Sequence, residues 1–411
     1  MPSNSSTVRS RNTSSVIAYL ALSGSLLALG IDIVIPAFDE MRPDLGLAPE
    51  STRVSLIVTV YFVGMAIGQP IWGPISDRFG RRPSMVAGLV LYIVGAGISA
   101  ASTSLPPMLV ARFIWGFGAA APALLRMAIA RDLYQGDQMA RVMSIVMAVF
   151  MIGPVAAPLV GALILLIAPW QAVFVFCMVA AAGQILWVRR FGETLPDENR
   201  RPLQFKPTAK AFRKVLTTRS TMAVTLALTL NHAGFFIFLG SSQPIMDRLY
   251  GRDDLFVAMF SGAGVVMAAA FVVGDRLIGR RGAAATLRGS AVLFCVLSLI
   301  NLFVTVAYDG LPALWIWIVG FVALNTVAAP FGPACFSLAL QPMGDLAGTA
   351  SGIVGLITTA VGSVLAAIVD ARIESTVTPM AVAYLLFGLA ALVMVWVGTD
   401  SRLEGDPVPV D

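Results

Sequence analysis

The chain has 411 residues, of which 57% are hydrophobic and only 12% charged. Soluble domains carry about 25% charged residues, so a water-soluble globular protein is excluded. The net charge of +5 is spread over separate short segments, which argues against a nucleic-acid partner.

The N-terminus, MPSNSSTVRSRNTSS, is polar and lacks the small-residue cleavage site of a secretory signal peptide, so the first apolar run reads as a retained helix. A spanning helix needs roughly 20 apolar residues. About twelve such runs follow in order, near 15–36, 54–73, 84–101, 107–129, 140–165, 170–190, 220–240, 255–274, 284–306, 312–335, 347–369 and 379–398. Most gaps are short. The exception, 191–219, is polar and basic; its second part, near 207–217, reads either as a basic amphipathic helix on the membrane surface or as a solvated linker.

An even number of spans puts both termini on one side. On that side lie Arg9, Arg11, Arg78, Arg81, Arg82, Arg131, Arg141, the 189–219 segment, Arg276, Arg280, Arg281, Arg288 and Arg402, against Arg42, Arg53, Arg248, Arg252 and Arg372 on the other. This bias predicts a multi-pass protein of the cytoplasmic (inner) membrane with both termini in the cytoplasm. The loop GPISDRFGRR (73–82) has a counterpart in GDRLIGRR (274–281), each following the second run of its half. The expectation is an all-α membrane protein of twelve helices in two six-helix bundles related by a pseudo-twofold axis. Residues 1–191 form the first bundle, 192–219 a linker and 220–411 the second, with a substrate site between them near the bilayer midplane.

Asp32 sits among apolar neighbours in GIDIVIPAF (30–38). An intramembrane carboxyl group is a functional candidate by default; lost hydration disfavours its charged form and suits it to exchanging protons. The bland alternative is a wet position at the outer interface, four residues before Pro36. Arg112 lies inside the fourth run, where a guanidinium needs an acceptor. If Arg112 nears Asp32 in one state, it favours the ionised aspartate and assists proton release; otherwise it simply pins its helix. In the fifth run Gly153, Pro154, Pro158 and Gly161 share one helix, either as a tight seal facing Gly262 and Gly264 or as ordinary small-residue packing. Tyr61, Asn231, His232, Phe235, Asn325 and Gln243 are candidates to line a cavity. His232 is the single histidine, which excludes a multi-histidine metal site, and a lone helix histidine is more often a packing group than a proton relay. Asp370 and Glu374 read as solvated residues at an outer helix end. Cys177, Cys295 and Cys335 fall in apolar runs as small packing residues. No metal or cofactor is expected. The absence of a G-x-x-x-x-G-K-[ST] loop disfavours an ATP-driven pump, and a single histidine makes a nucleophile–base pair hard to build.

Gly73–Pro83 matches in full the pattern G-x-x-x-D-R-x-G-R-R and resembles the loop between the second and third helices of the major facilitator superfamily. LVARFIWGFGAA (109–120) resembles its fourth-helix motif. GPVAAPLVGA (153–162) resembles the fifth-helix antiporter motif of its drug/proton exchangers, with Ala157 where glycine is common. GIDIVIPAF, ARDLY (130–134) and DLAGTASGIVG (345–355) narrow the resemblance to the bicyclomycin/chloramphenicol-resistance branch of multidrug efflux proteins.

The resemblance implies a monomeric, proton-coupled antiporter in lipid, exporting small amphipathic drugs by alternating access. It implies a latch of Gly73, Asp77, Arg78, Gly80, Arg81, Arg82 and Asp132, in which Asp77 engages the start of the eleventh helix and Arg81 pairs with Asp132. The alternative to the latch is a topology anchor with no conformational role. The resemblance also implies that Asp32 handles protons or substrate. One departure stands out: relatives often carry a second acid about two turns before Asp32, where this chain has Gly24 between Ser23 and Ser25. That loss favours neutral or zwitterionic substrates over cations. A proton-coupled metabolite or nutrient transporter, or a transporter-like sensor, is the competing class.

Overall fold

The computed structural model describes residues 13–49, 51–134, 156–196 and 205–399, with the single positions 142, 146, 153, 198 and 200. Arg9, Arg11, Arg141, Pro154 and Arg402 lie outside the described residues. In chain order the helices are α1 (Thr13–Asp32), α2 (Phe38–Asp44), α3 (Leu56–Phe79), α4 (Arg81–Ala100), α5 (Leu105–Leu133), α6 (Ala156–Leu165), α7 (Gln171–Phe191), α8 (Phe205–Thr217) and α9 (Arg219–Pro244). They continue as α10 (Phe256–Arg281), α11 (Ala283–Ala307), α12 (Leu314–Ala328), α13 (Phe331–Leu340), α14 (Ala347–Asp370) and α15 (Thr378–Thr399). Eleven helical segments of the described residues are long and apolar enough to span a bilayer, and α6 is a shorter apolar helix within the fifth run. Pro330 cannot donate a backbone hydrogen bond, and it separates α12 from α13 within one span, Leu314–Gly344.

Why helices and nothing else follows from the medium. In hydrocarbon every backbone N–H and C=O must be satisfied within the segment or by a closed neighbour. Large apolar side chains accordingly face outward: Ile167 is 88% and Phe303 74% exposed in the bare protein, the reverse of a water-soluble surface. Small residues set the helix spacing inside. A Cβ on Gly64 would meet the Phe113 carbonyl, and one on Gly116 the Tyr61 carbonyl, so α3 and α5 touch backbone to backbone. Gly95 and Gly118 do the same between α4 and α5.

The end carrying loop 73–83 is called here the basic end. Its two like loops differ in register. α3 stops at Phe79, Gly80 turns with φ 103°, and Arg81 and Arg82 open α4. In the second half α10 runs on through Arg280 and Arg281 and turns only at Gly282, with φ 81°. Both turns need the positive φ that glycine adopts at no steric cost. The arginines they flank are therefore not equivalent: Arg81 is buried, whereas Arg280 and Arg281 are exposed.

Buried apolar side chains form two clusters. The larger fills the first half and continues into the opposite end of the second half through Phe236, Ile237, Ile245, Phe256 and Tyr384. The smaller keeps to the basic end of the second half, with Val215 of α8, Val224, Leu287, Phe331 and Cys335. The halves thus share one core at the opposite end. In α8, Val215 is fully buried while Lys210, Phe212, Arg213 and Leu216 are exposed; one side of this amphipathic helix is docked on the protein.

Candidate functional site

α1 ends at Asp32, which is 3% exposed and whose Oδ1 has no hydrogen-bond partner. The wet-interface alternative does not describe this carboxyl group. Beside it stands Tyr61 of α3, fully buried, with its hydroxyl likewise unpartnered. Gly30 is what lets α1 come so near, since a Cβ there would fall onto the Tyr61 hydroxyl. Arg112 of α5 is fully buried too. Its Nε donates to the Ile57 carbonyl at 3.0 Å, and its guanidinium carbon lies 4.9 Å from the Tyr61 ring centre and 4.8 Å from that of Trp115. Cation–π contact with two rings partly replaces the hydration that a buried cation has lost. The two outer guanidinium nitrogens of Arg112 have no partner. No ion pair joins Asp32 to Arg112 among the described residues; Tyr61 lies within electrostatic reach of both. The site gathers an acid and a cation around one phenol, and a small displacement of α1 against α5 would change their separation.

At the basic end, Arg81 gathers the loop. Its Nε donates to Asp132 Oδ2 at 2.9 Å, and one terminal nitrogen donates to Asp77 Oδ1 at 2.5 Å and Ser76 Oγ at 2.7 Å. The end of α3, the start of α4 and the end of α5 are thereby tied by one guanidinium, with charge-assisted bonds stronger than neutral ones. Arg78 is exposed and Arg82 half-buried. Gly73 has room for a Cβ, the nearest atom being Leu124 at 3.7 Å. The hydrogen bond of Asp77 goes to Arg81; at the start of α14 the side chains of 345–349 lie outside the described residues. Farther along, α14 crosses α3 closely, with Gly355 against the Gln69 side chain and Gly352 against Pro70.

Sequence reasoning missed Glu193, in GETLP just after α7. Its Oε1 accepts from the backbone N–H of Arg81 at 2.8 Å and of Thr194 and Leu195 at 3.0 Å, and its Oε2 from Arg82 N at 3.2 Å. The first N–H groups of a helix have no intrahelical acceptor, and α4 opens on two arginines without an acidic residue of its own. A carboxylate from the far end of the first half supplies the cap and suits the helix dipole. Glu193→Ala should lower the thermal stability of the purified protein by about 1–3 kcal/mol. Glu193→Gln, which keeps one acceptor oxygen, should lose less; equal unfolding temperatures for wild type and Glu193→Ala would remove this role.

In the fifth run, Gly153, Pro158 and Gly161 are buried. A Cβ on Gly161 would collide with the Ile33 carbonyl, so α6 packs on the end of α1 inside the first half. Gly262 is exposed with open space around it and Gly264 is half-buried; Gly161 meets α1 and not Gly262, so at these two positions the structure shows small-residue packing and no face-to-face seal.

These helices, their order and the loop network can now be compared with known proteins. The Major Facilitator Superfamily family model matches residues 20–367. The chain belongs to the Major Facilitator Superfamily. It is 31% identical over 388 residues to the bicyclomycin resistance protein homolog of Haemophilus influenzae, covering 94% of this chain and 95% of that one. It is 25% identical over 410 residues to multidrug resistance protein D of Escherichia coli, covering 97% and 100%. The xylose transporter XylE from E. coli, solved in a partially occluded inward-open conformation, superposes with a TM-score of 0.74 at 15% identity, over 96% of this chain and 99% of that one. The chain is thus a multi-pass membrane protein of a transporter superfamily, with the superfamily's all-helical fold.

Within this superfamily fold the second-half candidates separate. Asn325 is buried, donating to the Phe321 carbonyl at 3.1 Å and the Tyr384 hydroxyl at 3.4 Å, while Tyr384 donates to the Gly234 carbonyl at 2.9 Å. The Asn325 amide and the Tyr384 hydroxyl together join α9, α12 and α15. His232 is half-buried, with Nδ1 3.0 Å from the Leu228 carbonyl of its own helix and its ring edge-on to Phe236. Asn231 and Phe235 are half-buried. Phe236 meets Phe62 of α3 with ring centres 4.0 Å apart, a contact between the halves.

The opposite end holds the residues that sequence analysis underrated. Arg42 of α2 is 3% exposed and bonds both Asp39 and, across the halves at 3.3 Å, Asp247. Gln243 Nε2 donates to Asp39 at 2.9 Å, and Arg248 donates to the Ser51 carbonyl at 3.0 Å. Asp370 was expected in water and is 2% exposed instead, because the Thr52–Ser55 turn and the end of α9 close over it. Glu374 is exposed.

Proposed function

We propose that this chain is a proton-coupled exporter of small amphipathic, drug-like compounds. It works as a secondary active antiporter in the cytoplasmic membrane, a monomer in lipid with both termini in the cytoplasm. Two rigid bundles, 1–191 and 220–411, rock about the site between them, with 192–219 as the link. Relatives named for bicyclomycin and multidrug resistance support the substrate class. The observation that carries the coupling is the buried Asp32 carboxyl group beside Tyr61 and Arg112. Protonation of Asp32 from outside favours release of the compound; deprotonation toward the cytoplasm restores binding, and the proton gradient sets the direction. The Arg81 network latches the basic end and rearranges as the bundles rock. Expression in a drug-hypersensitive bacterium should raise resistance to members of a wide panel of neutral and zwitterionic compounds. No resistance to any of them, with proton-driven uptake of a metabolite instead, would sink the reading.

A further inference from the structure

Asp370 is a second buried acid, in the other half and at the other end from the latch. It closes α14, and its Oδ1 accepts a hydrogen bond from Ser241 Oγ of α9 at 2.5 Å. Gly240 allows this approach: a Cβ there would lie 2.6 Å from Asp370 Oδ2. The carboxyl group borders a cavity of about 10 Å³ walled by Thr52 and Ser55 of the first half and by Gly240, Ser241, Pro244 and Leu249 of the second, room for about one water molecule. The charged groups on the surrounding elements are otherwise engaged or exposed. Arg53 is exposed, Arg248 donates to the Ser51 carbonyl, Asp247 pairs with Arg42, and Arg372 and Glu374 are exposed. Tyr384, within electrostatic reach, donates to the Gly234 carbonyl. No ion pair reaches Asp370 among the described residues.

An ionised carboxylate enclosed with one hydroxyl donor and no cation carries an uncompensated buried charge, whereas the neutral acid does not. The walls that enclose it come from both halves, so the enclosure exists only while the opposite end is shut. We propose that Asp370 is a proton-binding residue that governs closure of the opposite end: the halves shut there around the neutral carboxylic acid and part when it ionises. The proton comes from and returns to water on that side, and no other bond changes. Acid on that side therefore favours the closed form, and closure weakens as pH rises. In the proposed transport cycle this makes outside protons a condition for turning inward, separately from the proton carried by Asp32.

Spin labels on Ala48→Cys and Asp253→Cys, exposed positions on opposite halves at this end, report the separation in full-length protein in lipid nanodiscs with no drug present. The ratio of short to long distances should fall at least about tenfold between about pH 5 and about pH 8, as expected when one group changes its proton affinity by a unit or more on closure. Asp370→Asn, the neutral isostere, should hold the short distance throughout, while Asp32→Asn and Asp247→Asn should keep the pH response. A pH response retained by Asp370→Asn, or abolished by Asp247→Asn alone, would overturn the proposal. A wild-type distribution indifferent to pH would overturn it without any variant. Export is not read at any point, so failure of the export reading and failure of this one are told apart.

Discussion

Asp32→Asn should abolish drug-induced proton release from the detergent-purified protein, and resistance should fall to that of cells lacking it. Asparagine keeps the shape and cannot exchange a proton. The site it enters is already dry, with an acid oxygen that makes no hydrogen bond, so the amide removes a buried titratable group without breaking a partner. Protein quantity and unfolding temperature should consequently stay near wild type, which separates lost coupling from lost folding. The measurement is the proton signal from a pH-sensitive dye on adding drug. A wild-type signal in Asp32→Asn would take the residue out of the coupling role.

Arg112→Lys should be nearly as damaging, although the charge is kept. The guanidinium uses three features at once: an Nε–H to the Ile57 carbonyl, and the approach of its charged carbon to the Tyr61 ring and to the Trp115 ring, which stand edge-to-face to each other. An ammonium on a flexible stem cannot reproduce that arrangement. Loss of one charged hydrogen bond and of two desolvated ring contacts costs about 3–5 kcal/mol locally. Export should drop to background, with a measurable fall in unfolding temperature. Arg112→Ala should abolish proton-coupled export as well and leave membrane insertion intact, because insertion depends on the apolar run. Wild-type transport in Arg112→Lys would mean that charge alone suffices and that the guanidinium's ring contacts are incidental.

The fold was legible because each span carries its own signal: a run of apolar residues reads as a helix whatever surrounds it. The loop around Asp77 and Arg81 was legible because its partners lie close in sequence or in a nearby motif. Two kinds of feature escaped. One was burial created by segments distant in sequence. Asp370 looks solvated at the end of an apolar run, and only the Thr52–Ser55 turn of the other half dries it; Glu193 looks like a linker acid until α4 is seen to lack a cap. The other was the direction in which a residue points around a helix that is apolar on every side. Nothing in the runs themselves distinguishes the exposed Gly262 from the packed Gly161, or tells that Asn325 and Gln243 are committed to Tyr384 and Asp39. The paired loops marked the two halves, but their register was not legible: the arginine pair follows the turn at Gly80 in one half and precedes the turn at Gly282 in the other.

The Phe62–Phe236 contact carries a consequence for recognition. Each ring belongs to a different half, and both are buried while the halves meet. In the proposed cycle, where the bundles rock apart, each face would lose its neighbour and need another flat apolar surface to cover it. A planar guest supplies one. It would act as a stand-in for the withdrawn ring, ranked by the breadth of the face it offers rather than by any functional group it bears. A carrier that accepted guests on those terms would tolerate chemical variety without flexible recognition loops, and its discrimination would fall chiefly on the area of flat apolar surface.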